Sequence, residues 1–139
     1  MKIIDTKSLP ASYDCNEIVH VPLYKTCKIK QIINLENYQN ILFQSPSAVV
    51  NFDQIELLED KRIIAMGPGT SNQLRNHGYI AELPSDDYSS KGVINLLNKS
   101  ELIGKTLVIK GEGGLSSISD YLNSASFKTD ELNTYNRQK

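Results

Sequence analysis

Ile41-Leu42-Phe43-Gln44-Ser45-Pro46-Ser47-Ala48-Val49 is an apolar run cut by a Ser-Pro-Ser break, and Arg62-Ile63-Ile64-Ala65-Met66-Gly67-Pro68-Gly69-Thr70-Ser71 repeats the pattern further along. Each reads as a strand, a sharp turn and the start of a helix. Residues 41–43 suit a buried parallel strand, Ser45 is a good N-cap, and Pro46 fits the first helical position, where its missing N–H costs nothing. In the second copy Gly67 and Gly69 permit a tight turn and Thr70 or Ser71 caps. Gly78, after His77, then ends a helix of about two turns in a left-handed conformation.

In a parallel α/β sheet such turns all open on one edge, beyond the carboxyl ends of the strands, and ligands bind there. Helix starts offer unpaired N–H groups and the positive end of the helix dipole, so a row of them suits an anionic ligand. A third start, Tyr88-Ser89-Ser90-Lys91-Gly92, falls on the same edge. Capping alone also accounts for its serines.

Outward from this centre, residues 1–6 read as a short strand and 8–17 (SLPASYDCNE) as a polar loop. Residues 18–24 are extended, with Pro22 confining them to an edge or a linker. Residues 32–38 read as a short helix, 41–43 as a strand, 47–52 as a helix and 62–66 as the next strand. A helix over 70–77 leads to a strand over 79–82. Val93, Leu96 and Leu97 fall at helical spacing, and residues 106–109 form a further strand running into Gly111-Glu112-Gly113-Gly114. A marginal helix follows with Leu115, Ile118 and Leu122 inward, and a last strand covers 130–135. Strands alternating with short helices predict an α/β fold: an open parallel sheet with helices on both faces.

With 139 residues the chain fits one ordinary domain, and no apolar run approaches the roughly 20 residues of a membrane helix. The start MKIIDTKSLP has no apolar stretch followed by a small-residue cleavage site, so a cytoplasmic protein is expected. A net charge of −1 with scattered Lys and Arg argues against a nucleic-acid partner. Cys15 and Cys27 have no CxxC spacing and no His at ligand distance, which argues against a metal site and leaves two free buried thiols.

Other ligand motifs fail on particular residues. Gly67-Pro68-Gly69 lacks the third glycine and the acidic residue of a dinucleotide fingerprint, and residues 111–114 lack the Lys-Ser/Thr of a P-loop. A phosphoacceptor receiver domain needs an Asp at a central strand end, where Gln44-Ser45 and Gly67-Pro68 stand instead. His77 suits a helix C-terminus and His20 lies in a β-branched stretch, neither with a catalytic partner nearby in sequence.

The series FQSPSAV, IIAMGPGTSNQLRNHGY, DYSSKGVINLL, GKTLVIKGEGG and Tyr135, in that order and spacing, resembles the uroporphyrinogen-III synthase family over residues 42–135. The resemblance implies a flavodoxin-like lobe of a two-lobed fold. It also implies a cofactor-free lyase that closes hydroxymethylbilane to uroporphyrinogen III in tetrapyrrole (haem) biosynthesis, losing water and inverting the last ring through a spiro intermediate. The small-molecule substrate is a polycarboxylate tetrapyrrole, consistent with backbone amides as its main ligands. By position, Tyr135 matches the tyrosine proposed to assist the departing hydroxyl. Ser45, Ser47, Gly67, Thr70, Ser90 and Gly113 fall at the substrate-binding turns. Since family members have two similar lobes, the resemblance implies a stub and linker over 1–20, one lobe over 21–135 and a tail over 136–139. A second copy or a separate chain would then supply the other wall of the cleft. The other expectation is a non-catalytic module that binds linear tetrapyrroles.

Overall fold

A computed structural model of the chain describes residues 12–14, 25–30, 32–85, 87–99 and 102–138. Six strands form one sheet: β1 (Ser12–Asp14), β2 (Lys25–Lys30), β3 (Asn40–Phe43), β4 (Arg62–Ala65), β5 (Thr106–Gly111) and β6 (Thr129–Gln138), in the order β1-β2-β6-β5-β3-β4. The four strands β6, β5, β3 and β4 are parallel, as the alternating pattern predicts. At the β6 edge the sheet turns antiparallel, through β2 and then β1, so the whole is mixed.

The central strands are buried on both faces. Ile41, Phe43, Ile63, Ala65, Leu107 and Ile109 pack on one side with Ala48 and Val49 of α1 (Pro46–Val50) and Leu74 of α2 (Pro68–Asn76). Leu42, Ile64 and Val108 pack on the other with Val93 and Leu97 of α3 (Ser90–Lys99) and Ile118 and Leu122 of α4 (Ser117–Ser124). Alternate residues of a pleated strand point to opposite faces, so a strand that reads as a continuous apolar run needs a helix layer on each side. The helices on both faces supply it.

Several local expectations are corrected. The α2 helix begins at Pro68, with extended Gly67 as its N-cap (φ −153°, ψ 177°), so Thr70 and Ser71 lie buried inside the helix and cap nothing. Proline at the first helical position starts the helix earlier than the hydroxyls indicate. Residues 79–82 make only one parallel bridge, Ile64 to Glu82, with Ala65 N–H donating to the Glu82 carbonyl and Glu82 N–H to the Ile63 carbonyl. Pro84 follows without an N–H to continue it. The helix expected over 32–38 contracts to a 3-10 turn, Leu35–Asn37, capped by Asn34. Leu115 is exposed because α4 starts only at Ser117, so its spacing to Ile118 straddles the helix boundary. Part of the polar stretch read as a loop is β1, whose pairing with Lys28–Lys30 is a backbone ladder that needs no apolar alternation at an edge.

The last strand outruns expectation for a similar reason. Its first half pairs with β5, and Tyr135–Gln138 pair with Lys25–Lys28 of β2. Gly78 ends its helix with φ +89°, and His77 is the C-cap residue, both as read from sequence. The expectations for residues 1–6 and 18–24, His20 and the two thiols lie outside the described residues and side chains.

At the amino ends of the parallel strands a polar cluster locks the sheet. Tyr38 Oη donates to Asp130 Oδ2 at 2.6 Å, and Lys105 Nζ lies 3.1 Å from the same oxygen and 4.9 Å from the Tyr38 ring centroid. Burial, the Asp130 hydrogen bond and the Asp130 charge push the Tyr38 phenol up to about 12. The hydrogen bonds from Tyr38 and Lys105 hold the Asp130 carboxyl below its ordinary value.

Candidate functional site

The carboxyl ends of the parallel strands carry a cleft of about 340 Å³, lined by Gln44, Ser45, Met66, Lys110 to Leu115 and Tyr135. Its position follows from topology. From β3 the chain passes to α1 on one face of the sheet, and from β5 to α4 on the other, although β3 and β5 are neighbours. The two loops part at this point, and a crevice opens between them beyond the strand ends.

Ser45 accepts a hydrogen bond from Ala48 N–H through Oγ at 3.2 Å, the N-cap read from sequence, with Pro46 in the first helical position. The same hydroxyl lies 2.8 Å from Tyr135 Oη, either oxygen donating. Tyr135 itself is buried in β6, and its backbone carbonyl accepts from Glu112 N–H at 2.7 Å. Gly111 permits this approach. A Cβ there would stand 2.5 Å from Tyr135 Cζ and 2.9 Å from its Oη, so any side chain collides with the phenol. A register shift at Lys110 and Gly111 brings Gly111 opposite Tyr135 and leaves Thr134 unpaired with β5.

The Gly111–Leu115 loop turns through Gly113 at φ +79°, a left-handed conformation that suits glycine, and Gly114 N–H closes it onto the Gly111 carbonyl at 3.0 Å. Among the described residues the amides of Gly113 and Leu115 donate to no backbone carbonyl outside helices and strands. Lys110, buried beneath the loop, donates to the Gly114 carbonyl at 2.8 Å and to Ser116 Oγ at 3.4 Å, with Glu131 Oε1 at 3.6 Å. Burial raises the Glu131 carboxyl, but hydrogen bonds from Ser119 and Ser116 and the Lys110 charge together hold it below its ordinary value.

Of the residues expected at the site, Ser45, Gly113 and Tyr135 meet in the cleft. The others stand outside its lining. Ser47 lies within α1, where its carbonyl accepts from Asn51 N–H and Nδ2. Gly67 caps α2 beside Tyr88, and Thr70 is 3% exposed in the first turn of α2. Ser90 opens α3 with its Oγ buried and unpartnered. Sequence reading missed Gln44, Met66, Lys110 and Glu131. Gln44 Nε2 is buried in the cleft wall without a protein partner. For Lys110 a signal existed: a lysine that ends the run Leu107-Val108-Ile109 of a central strand is buried with it and requires an anionic partner. Among the described residues no cluster of His, Cys, Asp or Glu is arranged to hold a metal ion. No helix there is long and apolar enough to cross a membrane.

A family model described as uroporphyrinogen-III synthase HemD matches residues 15–139. No curated protein matches the chain. Among solved structures it is similar to uroporphyrinogen-III synthetase from Helicobacter pylori, with a TM-score of 0.63 and 16% identity over 85% of this chain and 55% of that one. It is also similar to a mutant uroporphyrinogen III synthase from the extremely thermophilic bacterium Thermus thermophilus, with a TM-score of 0.64 and 15% identity over 84% of this chain and 52% of that one. At these identities the likeness establishes the fold: one lobe of a two-lobed architecture. The chain spans about half the length of the structures it matches.

Proposed function

The chain belongs to the uroporphyrinogen-III synthase family, and from that premise we propose that its strand-end cleft binds hydroxymethylbilane and takes part in closing it to uroporphyrinogen III. The observation that carries this reading is the Ser45–Tyr135 hydroxyl pair, 2.8 Å apart, set in the crevice between two diverging loops. A phenol held by a second hydroxyl is a proton donor placed at a ligand's edge. The amides of Gly113 and Leu115 offer anchors for a substrate carboxylate.

In this mechanism Tyr135 gives its proton to the terminal hydroxyl of the bilane, the carbon–oxygen bond breaks, and water leaves. Ser45 donates to the phenolic oxygen as negative charge develops on it. The resulting carbocation is attacked by the substituted carbon of the last pyrrole, and the spiro intermediate rearranges with inversion of that ring. A proton lost from the ring carbon restores the phenol. Most of the acceleration comes from holding the two ends of a flexible chain together, so one acid contributes only about 10²–10⁴-fold. Ser47, Gly67, Thr70 and Ser90 act on the rim only through the first turns of α1, α2 and α3, in or beside which they lie, and a second wall, from another copy of this chain or from a separate chain, completes the enclosure.

A coupled assay tests the reading: hydroxymethylbilane is supplied, the products are oxidised, and type III is resolved from the spontaneous type I isomer. Type III above background, reduced in Tyr135→Phe, is expected. Type I alone removes the catalytic proposal, and saturable binding without turnover then leaves the cleft a binding wall.

A further inference from the structure

Lys110 lines a cleft read here as the seat of a polyanion, where a cation would ordinarily meet the ligand. Its side chain is nonetheless only 5% exposed. Its three donors face the protein instead: the Gly114 carbonyl at 2.8 Å, Ser116 Oγ at 3.4 Å and Glu131 Oε1 at 3.6 Å. Glu131 is fixed in turn by Ser119, whose hydroxyl donates to Oε2 and reaches back to the Ser116 carbonyl. The ammonium therefore joins the end of β5, the first turn of α4, the middle of β6 and the glycine loop.

We infer that Lys110 is a positioning residue for the cleft, acting on the ligand through the Gly111–Leu115 loop that it fastens rather than by contact. A loop with three glycines loses much chain entropy when it orders, and only one backbone hydrogen bond, Gly114 to Gly111, closes it from within. Lys110 grips the carbonyl of that same Gly114. With the loop pinned, Glu112 N–H stays on the Tyr135 carbonyl and Gly111 stays under the Tyr135 ring, which aims the phenol at Ser45. Glu131 serves as the counter-charge that lets the ammonium remain buried in this task.

Amide hydrogen exchange on the full chain decides the point, read at Glu112 and Gly114 with Leu42 and Ile64 as core references. Lys110→Met is expected to speed exchange at the loop amides about 10-fold or more and leave the core unchanged, since a charge-assisted hydrogen bond has been lost locally. Glu131→Gln is expected to act in the same direction and Lys110→Arg to stay near wild type. If Lys110→Met also loosens the core, the contrast between Glu131→Gln and Lys110→Arg carries the test. Wild-type exchange at the loop in Glu131→Gln and Lys110→Met overturns the inference.

A second arm rests on the tetrapyrrole reading and uses uroporphyrin III as the anionic probe. In Lys110→Met its affinity is expected to fall while its dependence on ionic strength is unchanged. A shallower salt dependence means that Lys110 touched the ligand, and overturns the positioning role. Failure of the wild-type protein to bind the probe counts against the tetrapyrrole reading alone, and the exchange data still judge Lys110.

Discussion

Two single residues, Gly111 and Gln44, test the cleft from opposite sides. A methyl group on Gly111 meets the buried Tyr135 ring at 2.5 Å from Cζ and 2.8 Å from Cε2. Gly111→Ala is expected to cost about 1–3 kcal/mol by thermal or denaturant unfolding. Most of that loss should vanish in a Tyr135→Ala background, where the colliding ring is gone. Equal losses in the two backgrounds mean that the contact is not the cause. Gln44→Leu is expected to leave stability unchanged or slightly raised, because it removes a buried donor with no protein partner, while weakening tetrapyrrole binding. A loss of stability with unchanged binding contradicts that assignment. Neither residue was legible as functional from the sequence. Gly111 reads as one glycine of a turn, and only the ring stacked on it shows why no side chain fits; Gln44 reads as a loop polar residue until its burial is seen.

Among the elements, those whose local chemistry agrees with their packing were read correctly. Ser45-Pro46 begins α1 as a capped proline start, Gly78 ends α2, and the runs 41–43, 62–65 and 106–109 are strands. Elements decided by tertiary pairing were not. β1 exists through its ladder to β2, and residues 79–82 shrink to one bridge against the outer edge of β4, backed by Arg62, whose Nε and Nη2 donate to the Glu82 carboxylate at 2.7 and 2.9 Å. That segment covers an edge which would otherwise offer unpaired backbone groups to another sheet.

The cluster joining the 3-10 turn to β6 sets a pH response at this scale. Tyr38 titrates higher in the folded chain, at about 12, so its contribution is complete below its ordinary value of 10.0 and is lost as pH rises toward 12. Asp130 and Glu131 titrate lower when folded. Their contribution is present above the ordinary values of 3.8 and 4.5 and is lost as pH falls through the folded ones. Melting temperature should therefore be flat near neutrality and fall on both sides. Tyr38→Phe should weaken the alkaline decline; an unchanged alkaline limb shows that Tyr38 does not govern it.

For the molecule as a whole, the sequence disclosed a parallel core with helices on both faces because central strands must be apolar on both sides. It did not disclose the antiparallel extension, since a polar strand such as Thr129–Gln138 carries no alternation stating which neighbour lies beside it. The cleft was legible in outline, as a row of turns on one edge. Its electrostatic support was not, because Lys110 and Glu131 are far apart in sequence and meet only when β5 and β6 pair. Ser45 and Tyr135 are separated still further, by 90 residues. During synthesis at about 5–20 residues per second, Ser45 and the helix it caps leave the ribosome seconds before the phenol that completes the pair exists. The cleft thus cannot form before β6 has been made. A stalled or nicked chain can keep much of its hydrophobic core and have no working pocket, so ligand occupancy reports completion of the fold more faithfully than helical content does.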